Sequence, residues 1–140
     1  MRFIRPFDSL TLDDIPLVGG KNASFGEMIR SLQPLGVHVP DGFALTAEAY
    51  QALLDGPGVR EALRTALREI DLRDVDSLRA GGAIARRIVR EAPFPAVLLA
   101  ELEEAYAALS RQYGMQATDV AVRSSATAED LPTASFAGQQ

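Results

Sequence analysis

The sequence predicts an α+β fold, rich in helix and carrying only a few short strands. Five segments place apolar residues at helical spacing, two short apolar runs are bounded by turn residues, and glycine or proline stands at most of the boundaries. At 140 residues, 47% hydrophobic and 24% charged, the chain has the composition of one folded domain rather than of a disordered segment.

The first helix is expected from Ser24, where Phe25, Met28, Ile29 and Leu32 share a face and Ser24 with Glu27 reads as a capping box. Gly36 to Leu45 alternates apolar runs with turn residues, which predicts an extended segment, a turn and a second extended segment. Thr46 is placed to cap a short helix that turns Ala49, Tyr50, Leu53 and Leu54 inward and stops at Gly56-Pro57-Gly58. Val59, Leu63, Ala66, Leu67 and Ile70 mark the next helix. Asp74 or Asp76 opens another that runs to Ala92, weakened at Gly81-Gly82 by roughly 1 kcal/mol per glycine and ended by Pro93. Pro95 suits the first position of a helix carrying Leu98, Leu102, Ala105, Tyr106 and Leu109 as far as Tyr113-Gly114. Val120-Ala121-Val122 reads as a short buried strand, and the small polar run after it as a loop.

Charge and composition narrow the function. A net charge of -5 opposes any broad nucleic-acid-binding face, which would need clustered cations to displace counterions. No run is long enough to span a membrane, no signal-peptide core opens the chain, and without cysteine there is neither a disulfide framework nor a thiolate metal site. The expectation is a cytoplasmic protein that binds neither nucleic acid nor membrane.

Two short motifs could carry chemistry. Gly19-Gly20-Lys21 precedes a helix, whose unpaired first amides and dipole favour an anion, and Lys21 adds a mobile positive charge. The spacing is not that of a Walker A loop, and taken alone the segment also reads as an ordinary glycine turn with a solvated lysine. Arg123 stands at the end of the expected strand, where its planar guanidinium could grip phosphate oxygens or pair with Glu129 or Asp130. Ser124, Ser125, Thr127 and Ser135 supply hydroxyls around it, and Gly138 permits close approach of backbone to a ligand. Glu129-Asp130 lacks a second acidic pair, so no metal site is assigned. His38 reads as a half-buried structural histidine.

The words Val18-Gly19-Gly20-Lys21-Asn22-Ala23-Ser24-Phe25-Gly26-Glu27-Met28, Val39-Pro40-Asp41-Gly42-Phe43-Ala44, Val122 to Pro132 and Ser135-Phe136-Ala137-Gly138-Gln139-Gln140 occur in an order that resembles the N-terminal part of the phosphoenolpyruvate synthase family, within the pyruvate phosphate dikinase group. The resemblance implies an ATP-grasp-type nucleotide-binding subdomain filling residues 1–140 and continuing beyond them. It implies ATP held by Lys21, Arg123, Ser124, Ser135 and Gly138, with Lys21 and Arg123 acting on the phosphates. Mg2+ accompanies the nucleotide, and a phosphohistidine domain and a pyruvate-binding domain are the partners, with a homodimer as the assembly. Rifampin-type phosphotransferases share two of the words and stand as the alternative, together with a non-catalytic nucleotide-binding fragment. Asn22 after Lys21 favours the synthase. If this terminal run is half of a strand pair, Thr127 to Gln140 is expected to lack partners for its backbone in this chain and to be mobile or borrowed by a neighbouring molecule.

Overall fold

The computed structural model describes residues 2–127, 130–131 and 134–135. The chain divides into two compact units: Met1–Ala49 with Val97–Gln140, and Tyr50–Ala96.

In the first unit β1 (Ile4–Pro6) pairs antiparallel with β2 (Phe43–Leu45), Ile4 opposite Leu45 and Pro6 opposite Phe43. Proline removes a ladder donor and is tolerated at the end of this short pair. Between the strands lie 3₁₀ turns at Phe7–Ser9 and Leu12–Asp14, then α1 (Ile15–Val18) and α2 (Gly20–Leu32). Leu10, Val18, Ala23 and Ala44 form a buried cluster, packed on by Phe7 and Leu17. The Phe7 and Phe25 rings stack with centroids 5.0 Å apart, and Arg30 Nη2 donates to the Leu10 carbonyl at 2.6 Å, so α2 is fixed to the chain that precedes it. Helix α6 (Ala96–Gln112) enters this unit through Leu98, Ala105 and Leu109, all buried.

Helix α3 (Ala47–Leu54) starts where expected: the Thr46 hydroxyl accepts the Ala49 amide at 3.3 Å. In the second unit α4 (Val59–Arg68) and α5 (Val75–Glu91) close on Leu53, Val59 and Ala92, with Leu63, Ile88 and Val89 against them. Asp74 caps α5 as expected, accepting the Asp76 amide at 3.0 Å. Gly81, foreseen as a weak point of that helix, is buried, and the Ile70 side chain fills the space a β-carbon there would need.

Several expectations are corrected. Helix α2 begins at Gly20, four residues before Ser24, whose hydroxyl donates back to the Gly20 carbonyl at 2.8 Å from within the helix. The capping box lies instead at Thr11 and Asp14. His38 is exposed, not half-buried. Val120 to Val122 is no buried strand: Val122 is 93% exposed, and no strand pairs with the segment among the described residues. An extended segment without a neighbour has nothing to bury its side chains or satisfy its backbone. Farther on, β3 (Asp130–Leu131) pairs with β4 (Ala134–Ser135), placing Asp130 opposite Ser135 and giving part of the run expected to lack partners a partner of its own. The rest of that expectation, beyond Thr127, lies outside the described residues, as does Gly138.

Candidate functional site

Lys21 is set by a sharp corner between two helices. Ahead of the corner, Asp14 accepts the Thr11 amide at 2.8 Å while the Thr11 hydroxyl accepts the Asp13 amide at 3.2 Å, fixing the entry to α1. Gly19 ends α1 and caps α2 with φ 80° and ψ 160°, a region open essentially to glycine alone. Its amide donates to Ile15 at 2.9 Å, and its carbonyl accepts from Ala23 at 3.1 Å. Asn22 Nδ2 then donates to the Val18 carbonyl at 2.8 Å, tying the end of α1 to the first turn of α2. Lys21 stands exposed in that turn, beside amides that a helix leaves without carbonyl partners of its own. It is the sole lysine in the chain; the other thirteen of the fourteen Lys and Arg residues are arginine. A compact ammonium on a flexible stem serves as a point charge, whereas guanidinium is a planar fork.

Arg123 is delivered by the end of α6. The Ser110 carbonyl accepts the Met115 amide at 2.9 Å and its hydroxyl accepts the Thr118 amide at 3.2 Å, while Tyr106 donates to the Thr118 carbonyl at 2.8 Å. Ser110 and Thr118 are buried, so the chain leaving Thr118 has a fixed origin. From there it runs through exposed Arg123 and Ser124 to half-buried Ser125 and Ala126.

The two segments meet at Gly19. A β-carbon on Gly19 would strike the Ser125 hydroxyl and come within 2.8 Å of the Ala126 carbonyl oxygen, so the Ser125 side chain and the Ala126 carbonyl lie directly on the bare Cα at the head of α2. Lys21 is two residues beyond this contact and Arg123 two residues before it. Two residues of chain reach at most about 7 Å, so both Cα atoms lie within about that distance of the contact. The Ser125 Oγ is buried and has no hydrogen-bond partner among the described residues.

Of the sequence-predicted site residues, the structure thus brings the segments of Lys21, Arg123 and Ser124 together. Ser135 is described only as backbone in β4, and Gly138 lies outside the described residues. Sequence reasoning placed Gly19 in the motif only as a flexible glycine and did not foresee its contact with Ser125 and Ala126, and it gave Asn22 no bond of its own. A glycine doublet between helical patterns was the signal for the first; nothing in the sequence announces the Asn22 bond. The described residues hold no group of three or more His, Cys, Asp or Glu able to ligate a metal. The second unit has an apolar groove lined by Tyr50, Leu63, Leu67, Val89, Arg86 and Arg90, and it contains none of the motif residues. No helix among the described residues is long and apolar enough to cross a membrane.

Comparison with known proteins places the sequence in a family. The family described as "Pyruvate phosphate dikinase, AMP/ATP-binding domain" matches residues 15–140. Phosphoenolpyruvate synthase of Helicobacter pylori is 50% identical over 140 residues, covering 100% of this chain and 17% of that protein. The Aquifex aeolicus enzyme of the same name is 50% identical over 133 residues, 95% of this chain and 16% of its own length. That of Escherichia coli is 47% identical over 134 residues, 96% of this chain and 17% of its own. The chain therefore spans about a sixth of the length of these relatives. With the match running from Ile15 to the last residue, it belongs to the pyruvate phosphate dikinase AMP/ATP-binding domain family.

Proposed function

We propose that this chain is the ATP-binding part of a phosphoenolpyruvate synthase, in which ATP phosphorylates a histidine on another domain and the phosphoryl group passes on to pyruvate, giving phosphoenolpyruvate, AMP and phosphate. The observation that carries the reading is the contact at Gly19, because it joins the segment of the only lysine to the segment of Arg123, distant in sequence. The relatives named above carry the name phosphoenolpyruvate synthase, which supports this reading.

The residues fit a triphosphate. Lys21 contributes a point charge, Arg123 a two-pronged donor, and the first turn of α2 contributes amides and the positive end of a dipole. Phosphoryl transfer requires little covalent chemistry from the protein, so side chains that hold the phosphates and offset charge on the transferring oxygens are its main contribution. Mg2+ enters with the nucleotide and neutralises part of its charge. Ser124, Ser135 and Gly138 are the further ATP-binding residues of this reading, and the fold it assigns to the whole domain is of the ATP-grasp type. The phosphohistidine, the pyruvate site and a homodimer belong to the longer protein of which this chain is the nucleotide-binding part.

The sole lysine makes a direct test. An amine-directed reagent is titrated against Lys21 with and without Mg-ATP, and modification is read by peptide mass spectrometry. ATP at millimolar concentration is expected to slow the labelling of Lys21 several-fold while leaving the N-terminal amine unchanged. Equal labelling of Lys21 at all ATP concentrations rejects the reading.

A further inference from the structure

We propose that Gly19 is a positioning residue whose bare Cα is the seat for the Ser125 side chain and the Ala126 carbonyl, and that this seat sets where Arg123 stands relative to Lys21. The proposal rests on the ATP reading for its functional consequence, though the seat itself is a matter of packing. Three observations carry it. Gly19 has no room for a β-carbon, because the Ser125 hydroxyl and the Ala126 carbonyl occupy that space. The Ser125 Oγ is buried in the contact although it gains no hydrogen bond there among the described residues, so shape and not polar pairing accounts for its position. By contrast Gly36, with φ +81°, and Gly58, with φ +75°, have nothing within 4 Å of the same position, so a left-handed backbone does not by itself bring a neighbour this close.

The consequence is that neither cationic motif is placed alone. The α1–Gly19–α2 corner fixes Lys21, the Ser110–Thr118 anchor fixes the start of the Arg123 segment, and the seat holds its far end. A change at Gly19 that leaves both helices intact should still separate the two charges.

The chain has no cysteine, so a single introduced thiol reports on the seat without reference to nucleotide. Ser125→Cys replaces the buried hydroxyl by a near-isostere, and Ser124→Cys provides an exposed neighbour. Reaction with a water-soluble disulfide reagent is expected to be at least about tenfold slower for Ser125→Cys, as burial shields a thiol from attack. Adding Gly19→Ala should erase that difference, and adding Gly36→Ala should preserve it. In the cysteine-free background Gly19→Ala should raise the ATP concentration that protects Lys21 by about tenfold with circular dichroism unchanged. Equal rates for the two thiols, or a protected Ser125→Cys thiol in the Gly19→Ala background, overturns the proposal. If Gly19→Ala does not fold, Ser125→Leu inserts bulk into the same contact from the loop side, and ATP protection of Lys21 equal to that of the parent chain then overturns it. Slow Ser125→Cys labelling relieved by Gly19→Ala, combined with no ATP protection of Lys21 in the parent chain, supports the seat and rejects the nucleotide reading instead.

Discussion

The carboxylate of Glu101 accepts the backbone amide of Phe3 at 2.8 Å across 98 residues of sequence. Its other oxygen accepts the Arg2 amide at 2.9 Å, so one side chain on α6 holds two successive amides at the start of the chain, leading into β1. These bonds, the Arg2 amide foremost and the Phe3 amide next after an opposing desolvation, hold the Glu101 carboxyl below its usual range.

The first prediction concerns acid stability. Because the folded-state value is depressed, the carboxylate stabilises the fold fully above the ordinary glutamate range, and that contribution is lost as pH falls through the lower folded-state value. Glu101→Gln is expected to melt a few degrees lower at neutral pH and to show a flatter stability profile across the acid limb than the parent chain. Parallel profiles for the two chains, followed by thermal melts from neutral to acid pH, would show that Glu101 does not hold these amides.

The two adjacent glycines of α5 should respond oppositely. Alanine ordinarily improves a helix interior by about 1 kcal/mol over glycine. At Gly82 the nearest atoms are those of the flexible end of Arg86, 3.2 Å from the new carbon, so Gly82→Ala is expected to stabilise by about 0.5–1 kcal/mol. At Gly81 the new carbon meets the body of Ile70, and Gly81→Ala is expected to cost about 1–3 kcal/mol through overpacking. Urea melts of the two variants decide it; stabilisation by both would mean that Ile70 moves aside freely.

Much of the helical body is legible in the sequence because amphipathic spacing and caps are local. Thr46, Asp74 and Gly114 mark boundaries through chemistry that acts within four residues. The misreadings share a cause. Ser24 with Glu27 satisfies a capping pattern, yet the Gly19 corner and the Asn22 bond let the helix start earlier. Val120 to Val122 has strand composition but no neighbouring strand among the described residues, and a strand is defined by what pairs with it. At the candidate site Lys21 and Arg123 could be singled out by residue type, whereas the contact that gathers their segments joins positions more than a hundred residues apart and leaves no local pattern.

Arg123 offers a test that separates charge from geometry. The side chain is exposed and no hydrogen bond or ion pair to it is found among the described residues, so Arg123→Ala should leave the thermal melt within about 0.5 kcal/mol of the parent. In the longer enzyme the same change is expected to lower pyruvate-dependent AMP formation by about 10²-fold or more, as for loss of other preorganised charges at a transferring group. Arg123→Lys should recover only part of it, because an ammonium cannot reproduce the two-pronged grip. Turnover equal to the parent in Arg123→Ala would remove the residue from the chemistry.

The affinity of the 140-residue chain for nucleotide should be low. On the proposed reading two cations and a helix head would engage only the phosphates, and a ligand left largely in water gains little from burial. Calorimetry with Mg-ATP is therefore expected to give a Kd of about 0.1 mM or weaker, with binding that falls as salt is added, since exposed charges are screened within about 8 Å at physiological ionic strength. Lys21→Ala and Arg123→Ala should each weaken it further, and the double variant should show less than the summed loss, because the two side chains act on one phosphate chain. Sub-micromolar binding, or binding insensitive to salt, would mean that these residues enclose the base and sugar as well, and that the phosphate grip is not the main contact.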